Sequence, residues 1–228
     1  MPAEGKSMKK AVCIISGGMD SAVSAAIAKA QGYEIVAVHF NYGQRTERKE
    51  RECFRKLAED LKVIERYEID LPFFKTIGAS ALTDETLDVP TGGIEEGVPI
   101  TYVPFRNGIF LSIAAAVGEK EQAEAIVIGV VEEDSSGYPD CREDYIRAME
   151  RAIDLGTRDE TRLKILTPLV HLKKSEIVRK ALELGVDLSH TWSCYLEEEE
   201  ACGLCDSCRL RLAGFENAGE SDPIRYRS

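Results

Sequence analysis

Ala11-Val12-Cys13-Ile14-Ile15-Ser16-Gly17-Gly18-Met19-Asp20-Ser21 is the stretch on which the fold turns: five apolar residues run without a break into Ser-Gly-Gly-Met-Asp-Ser. A short unbroken apolar run is what a parallel strand buried on both faces requires. The two glycines let the backbone approach an anion closely. The helix start beyond them offers unpaired N–H groups and a positive dipole end. Ser16 and Ser21 add hydroxyls, with Ile15, Met19 and Ala22 completing the loop's contact with a nucleotide. Asp20 repels phosphate unless a cation lies between them, so it points to Mg²⁺ held against pyrophosphate oxygens. The spacing G-x-x-x-x-G-K-[ST] is absent, so the loop is not a Walker A. The plainer reading is a tight turn with Asp20 or Ser21 as a helix cap; the whole string directly after a strand favours nucleotide binding.

Outward from the loop, residues 22–30 are rich in alanine and read as a helix lying on a sheet. Residues 34–40 and 63–69 read as second and third strands, with a charged, helically spaced segment over 46–61 between them. Strand and helix alternating at these lengths predicts a Rossmann-like α/β fold, a parallel sheet in three layers. Residues 83–101 carry Gly, Pro and acidic residues and read as a long loop or lid. Helices are expected at 105–118, 143–156 and 173–184, the last closed by Gly185. Strands are expected at 125–131 and 163–167, a polar loop at 134–142, and a final helix near 208–218. The expected division is a loose tail over 1–9, a nucleotide-binding domain over 10–190 and a small cysteine-bearing lobe over 191–228.

The 228 residues are ample for such a domain. A net charge of −11 argues against extended contact with nucleic acid. No apolar stretch is long enough to span a membrane, and the polar first ten residues do not read as a signal peptide. Seven cysteines without an export signal point to a reducing, cytoplasmic setting, where clustered thiols bind metal more often than they pair. Four of them, Cys194, Cys202, Cys205 and Cys208, suffice for a closed tetrahedral zinc site, one structural ion per chain. An iron–sulfur cluster is the rival reading. Cys13 reads as core, Cys53 as inert on a helix, and the run 197–200 as a solvated acidic face.

With these pieces assembled, the chain resembles the PP-loop ATP pyrophosphatases, whose mark is S-G-G-x-D-S after the first strand. The resemblance implies an adenine nucleotide alpha hydrolase-like fold. It also implies cleavage of ATP to AMP and pyrophosphate while a carboxylate, amide or carbonyl is adenylated. Asn41-Tyr42-Gly43-Gln44 fits that site, with Gln44 toward ATP. Three further strings narrow the branch: Tyr102-Val103-Pro104-Phe105-Arg106-Asn107, Ser136-Gly137-Tyr138-Pro139-Asp140-Cys141-Arg142 and Thr191-Trp192-Ser193-Cys194-Tyr195. With the cysteine tail, Arg209-Leu210-Arg211 and Phe215, they resemble the 7-cyano-7-deazaguanine synthase family of the queuosine and archaeosine precursor pathway, from about Lys10 to Phe215. One departure is Ser135, where the family pattern has an aromatic-type residue.

The resemblance implies that ATP adenylates 7-carboxy-7-deazaguanine, ammonia displaces AMP to give the amide, and a second ATP carries the amide to the nitrile. The expected partners are these small molecules, with no nucleic acid and no membrane; a homodimer is open. Asp20, Arg106 and Lys174 are the expected catalytic residues. Arg106, Asn107, Tyr138, Asp140, Arg142 and Trp192 are the expected substrate contacts. Each keeps a plainer alternative: an ion pair for Arg106, a helix cap for Asn107, a loop brace for Asp140 and Arg142, a solvated lysine for Lys174. Trp192 and Tyr195 either stack on the deazaguanine or pack the cysteine lobe. Rival functions are a PP-loop tRNA thiolase and a nucleotide sensor without catalysis.

Overall fold

A computed structural model describes residues 8–93, 97–132 and 137–227. Most of the expected N-terminal tail, Ser135 and Ser136 lie outside these residues. The elements run β1 (Lys10–Ile14), α1 (Met19–Ala30), β2 (Glu34–Asn41), α2 (Glu47–Asp60), β3 (Glu65–Asp70), α3 (Phe73–Ile77), α4 (Arg106–Glu121), β4 (Ala125–Val127), α5 (Glu143–Gly156), β5 (Lys164–Leu166), α6 (Lys174–Glu183) and α7 (Asp206–Ala218). The strands form one parallel sheet in the order β3-β2-β1-β4-β5.

Side chains of a strand alternate between the sheet's faces, and that period divides the core into two layers. Val12 and Ile14 of β1 join Val36, Val38 and Phe40 of β2 in the layer under α4 and α5, with Phe110, Leu111 and Ile146. Ala11, Cys13 and Ile15 face the other way, against Ala22, Ala25 and Ala26 of α1 and Phe54 and Leu57 of α2. The small alanine faces of α1 let that helix lie close to the sheet. Fully buried Phe54 contributes roughly 1.5–3 kcal/mol by its removal from water. Met19 and Val23 of α1 also meet Ile177 and Val178 of α6 and Phe215 of α7 in a third cluster, so α7 is packed into the body of the domain.

The sheet is shorter than the apolar runs suggest. The fourth strand ends at Val127 instead of continuing to 131, because beyond the bond from Ile128 N to Leu166 O (3.1 Å) the chain turns under the start of α1. A Cβ on Gly129 would stand 2.8 Å from Ser21 N. The third strand begins at Glu65 instead of 63, since Lys62 (φ 49°) and the bond from Val63 N to Ala58 O close α2 first. This edge strand is blunted by charge: Arg55 grips Glu68, and Arg51 reaches Asp70. The short α3 was not expected from the sequence. Among the described residues of 83–101 there is no helix or strand.

Candidate active site

Strand order reverses between β1 and β4, and a parallel sheet opens a crevice at that point beyond its carboxyl ends. A cavity of about 280 Å³ lies there. Its floor is the loop from Ile15 to Ser21 and the segment 128–131; its walls come from α4, Lys174, residues 192–195 and the start of α7.

The loop is held by its own serines. Ser16 N donates to Ser21 Oγ (3.1 Å), Ser21 Oγ donates to Gly18 O (2.9 Å) and Gly18 N donates to Ser16 Oγ (3.2 Å). The N-cap of α1 is Gly18, and no side chain caps it. Neither Asp20 nor Ser21 takes the capping role, which leaves the helix end to receive an anion. Gly17 has φ +91°, and a Cβ there would stand 2.5 Å from Glu50 O. Two requirements thus fall on this glycine: a left-handed backbone and contact with α2.

Asp20 points from the first turn of α1 to Lys174, the first residue of α6. Lys174 Nζ donates to both carboxylate oxygens, at 2.8 and 3.1 Å. Lys174 fits beneath α7 because Gly214 has no side chain; a Cβ there would meet Lys174 Cγ at 2.5 Å. The structure therefore brings together two of the three residues expected to be catalytic. The third, Arg106, lines the same cavity from the first turn of α4. Its Nη1 donates to Tyr42 Oη (2.9 Å), and its guanidinium lies over the Tyr42 and Phe110 rings at 5.4 and 5.9 Å. No carboxylate pairs with Arg106 among its hydrogen-bond partners in the described residues.

The expected substrate contacts divide. Asn107, Tyr138 and Trp192 line the cavity. Tyr138 Oη lies 2.9 Å from Thr101 Oγ1. Asp140 does not line it: Oδ2 accepts from Asn107 N (2.9 Å), serving the start of α4, and buried Oδ1 has no hydrogen-bond partner among the described residues. Burial raises the Asp140 pKa, against the pull of the Asn107 N–H and Arg106. Arg142 is exposed and forms the N-cap of α5. Of the expected ATP contacts, Gly17, Ala22 and Gln44 are off the cavity wall. Gln44 braces the turn after β2, accepting from Tyr42 N (2.9 Å) and donating to Glu50 Oε2 (3.0 Å).

Trp192 packs the cysteine lobe, one of the two roles expected of it. Its ring packs with Cys53, Ala81, Val89 and the cysteines, and it also lines the cavity. Its N–H donates to Gly17 O (2.9 Å) and its indole N–H to Glu197 O (2.9 Å).

The four expected cysteine ligands converge, with all four Sγ atoms within 4.8 Å of one another. Cys194 Sγ accepts from the N–H groups of Leu196, Glu197 and Cys202; Cys202 Sγ accepts from those of Leu204 and Cys205. Amides aimed at sulfur favour thiolates. Four thiolates around one centre fit zinc, closed to water and so structural in role. Behind them, Arg211 is fully buried and grips Asp222 with two bonds, Nε to Oδ2 (2.7 Å) and Nη2 to Oδ1 (2.9 Å).

Several wall residues were not singled out from the sequence: Glu50, Thr101, Gly129 and Asp206. Glu50 sits in the segment that reads only as charged and helically spaced. Burial pushes its pKa up to about 7, with hydrogen bonds from Thr46 and Gln44 pulling the other way.

The family model described as "Queuosine biosynthesis protein QueC" matches residues 10–219. A 7-cyano-7-deazaguanine synthase of Sulfurovum sp. (strain NBC37-1) is 71% identical over 219 residues, 96% of this chain and 99% of that protein. The protein of the same name from Aliarcobacter butzleri (strain RM4018) is 64% identical over 221 residues, 97% of each. Among solved structures, the NMN synthetase of Francisella tularensis aligns with a TM-score of 0.52 at 16% identity, covering 94% of this chain and 79% of that one. That last likeness is one of fold.

Proposed function

This chain belongs to the QueC family of queuosine biosynthesis proteins, and we propose that it uses ATP to convert 7-carboxy-7-deazaguanine and ammonia into 7-cyano-7-deazaguanine. One observation carries the reading: a single cavity joins the uncapped N-terminus of α1 to Arg106 on the facing wall. An anion-binding end for a triphosphate and a cation for a carboxylate thus share one chamber.

The reaction asks the protein mainly to position groups and neutralise charge. The backbone of residues 16–21 holds the phosphates, and Lys174 brings its charge to their edge. Asp20, beside Lys174, would hold Mg²⁺, which would supply charge for the pyrophosphate oxygens. Arg106, braced on Tyr42, faces the carboxylate so that one of its oxygens meets the α-phosphorus. The aromatic wall, with Phe110, Tyr138, Trp192 and Tyr195, excludes water from the activated acid. Cys194, Cys202, Cys205 and Cys208 would hold zinc away from the chemistry, where it would fix the cysteine lobe as one side of the chamber.

The net charge of −11 supports small-molecule partners and no nucleic acid. No helix among the described residues is long and apolar enough to cross a membrane. Four cysteines gathered at one point for a metal suit the reducing cytoplasm. The test is mass spectrometry of the purified protein incubated with ATP, ammonia and 7-carboxy-7-deazaguanine. The nitrile and AMP are expected; absence of any acid-dependent pyrophosphate release refutes the reading.

A further inference from the structure

The nitrile nitrogen carries none of ammonia's three hydrogens, so each must be taken up during the reaction. Adenylation of the acid needs no such step: a carboxylate oxygen attacks the α-phosphorus and pyrophosphate leaves. When ammonia adds, a C–N bond forms, the C–O bond to AMP breaks and one proton leaves nitrogen. When the amide oxygen attacks a second ATP, pyrophosphate leaves and the amide yields one N–H proton to become the adenylated imidate. Breaking the C–O bond to AMP then releases the last proton and leaves the nitrile. A base beside the reacting carbon is required from the second step onward.

Resting on the function proposed above, we propose that the base is Glu50. Its backbone abuts the phosphate loop, since a Cβ on Gly17 would stand 2.5 Å from Glu50 O, and its side chain lines the cavity. Thr46 Oγ1 donates to Oε1 (2.9 Å) and Gln44 Nε2 to Oε2 (3.0 Å). The carboxylate is fixed by these two bonds, and each oxygen keeps a lone pair for a proton. The groups that face it are Arg106 from α4, Tyr42 from the end of β2, and Glu47 and Cys53 on its own helix.

The other groups on the wall are committed elsewhere. Asp20 is held by Lys174, and Asp206 starts α7 beside the metal ligand Cys205. Burial pushes Tyr42 and Cys141 up to about 12, so neither is a ready base at neutral pH. Among the described residues no histidine lines the cavity. With its pKa pushed up to about 7, Glu50 accepts a proton and returns it to water between steps. It works as the carboxylate, so the rate rises as pH climbs through about 7.

The experiment separates the half-reactions in wild type, Glu50→Gln and Glu50→Asp, at matched melting temperature. Acid-dependent exchange of pyrophosphate into ATP, without ammonia, reads adenylation; nitrile formation with ammonia reads the rest. In Glu50→Gln, exchange is expected to persist while nitrile formation falls about 100-fold or more, the scale of losing a general base. The rate's rise through pH 7 should disappear with it. Glu50→Asp, charged but shorter, should recover part of the nitrile rate and keep the rise; it is also the test if the glutamine variant fails to fold. Nitrile formation at the wild-type rate in Glu50→Gln overturns the proposal, as does equal loss of both half-reactions in a folded variant. Absence of exchange in the wild-type protein overturns the functional reading itself, and this inference with it.

Discussion

Replacing Asp222 with alanine removes a carboxylate that accepts from Arg211 Nε (2.7 Å), Arg211 Nη2 (2.9 Å), Tyr226 Oη (2.7 Å) and Ile224 N (3.2 Å). The pair is deeply buried, with side chains 1% and 4% exposed, so the guanidinium left behind is poorly solvated. Breaking a buried pair from one side costs about 3–5 kcal/mol. Arg211 keeps Thr191 Oγ1 (2.8 Å) and Leu188 O (3.1 Å), which argues for the lower end, about 3 kcal/mol. At roughly 2–4 °C per kcal/mol for a chain of this size, the midpoint should fall by about 6–12 °C. Urea and thermal unfolding of preparations with equal zinc content measure it. Adding Arg211→Met should restore part of the loss, because an apolar side chain there needs no counter-charge. A loss below about 1 kcal/mol, or a double variant whose losses simply add, refutes the reasoning.

Cys205→Ser should lower bound zinc from about one ion per chain and lower the melting temperature with it, because metal binding energy is folding energy. Elemental analysis that finds iron in the wild-type protein, or an unchanged melting temperature in the variant, contradicts the assignment. Gly129→Ala places a Cβ 2.8 Å from backbone atoms of Asp20 and Ser21 and pushes the start of α1 out of line. ATP affinity should fall about 10-fold, or about 1.4 kcal/mol, with the fold retained; an unchanged Kd means the loop tolerates the shift.

The strands and helices next to the phosphate loop were legible because local pattern and burial agree there. Ala11–Ile15 is apolar without a break, and the structure buries all five residues between two layers. The cysteine cluster was legible because its spacing alone brings four sulfurs to a point. Residues whose roles depend on distant partners were not. Glu50 stands among Glu47, Arg48, Lys49, Arg51 and Glu52 in a charged helix, where nothing local sets it apart. Only the docking of the phosphate loop and the 192–195 segment against that helix puts it on the cavity wall. Gly129 is hidden in an apolar run that reads as continuous strand, and its need for a bare Cα appears only when α1 is seen crossing above it. Asp140 was expected to read the substrate, but it does not line the cavity, and one of its oxygens is engaged at the backbone of α4.

The hydrogen bond from Trp192 N to Gly17 O joins parts of the chain that a ribosome makes far apart in time. A nascent chain that has exposed only the sheet already has the phosphate loop. It lacks the tryptophan beside that loop, Lys174 against Asp20, and the wall at Leu210 and Arg211. Such a chain has a nucleotide loop open to water on one side, so an ATP entering it meets no enclosed acid to activate. A chain stopped anywhere before α7 therefore has the phosphate loop without the wall that closes the chamber around it.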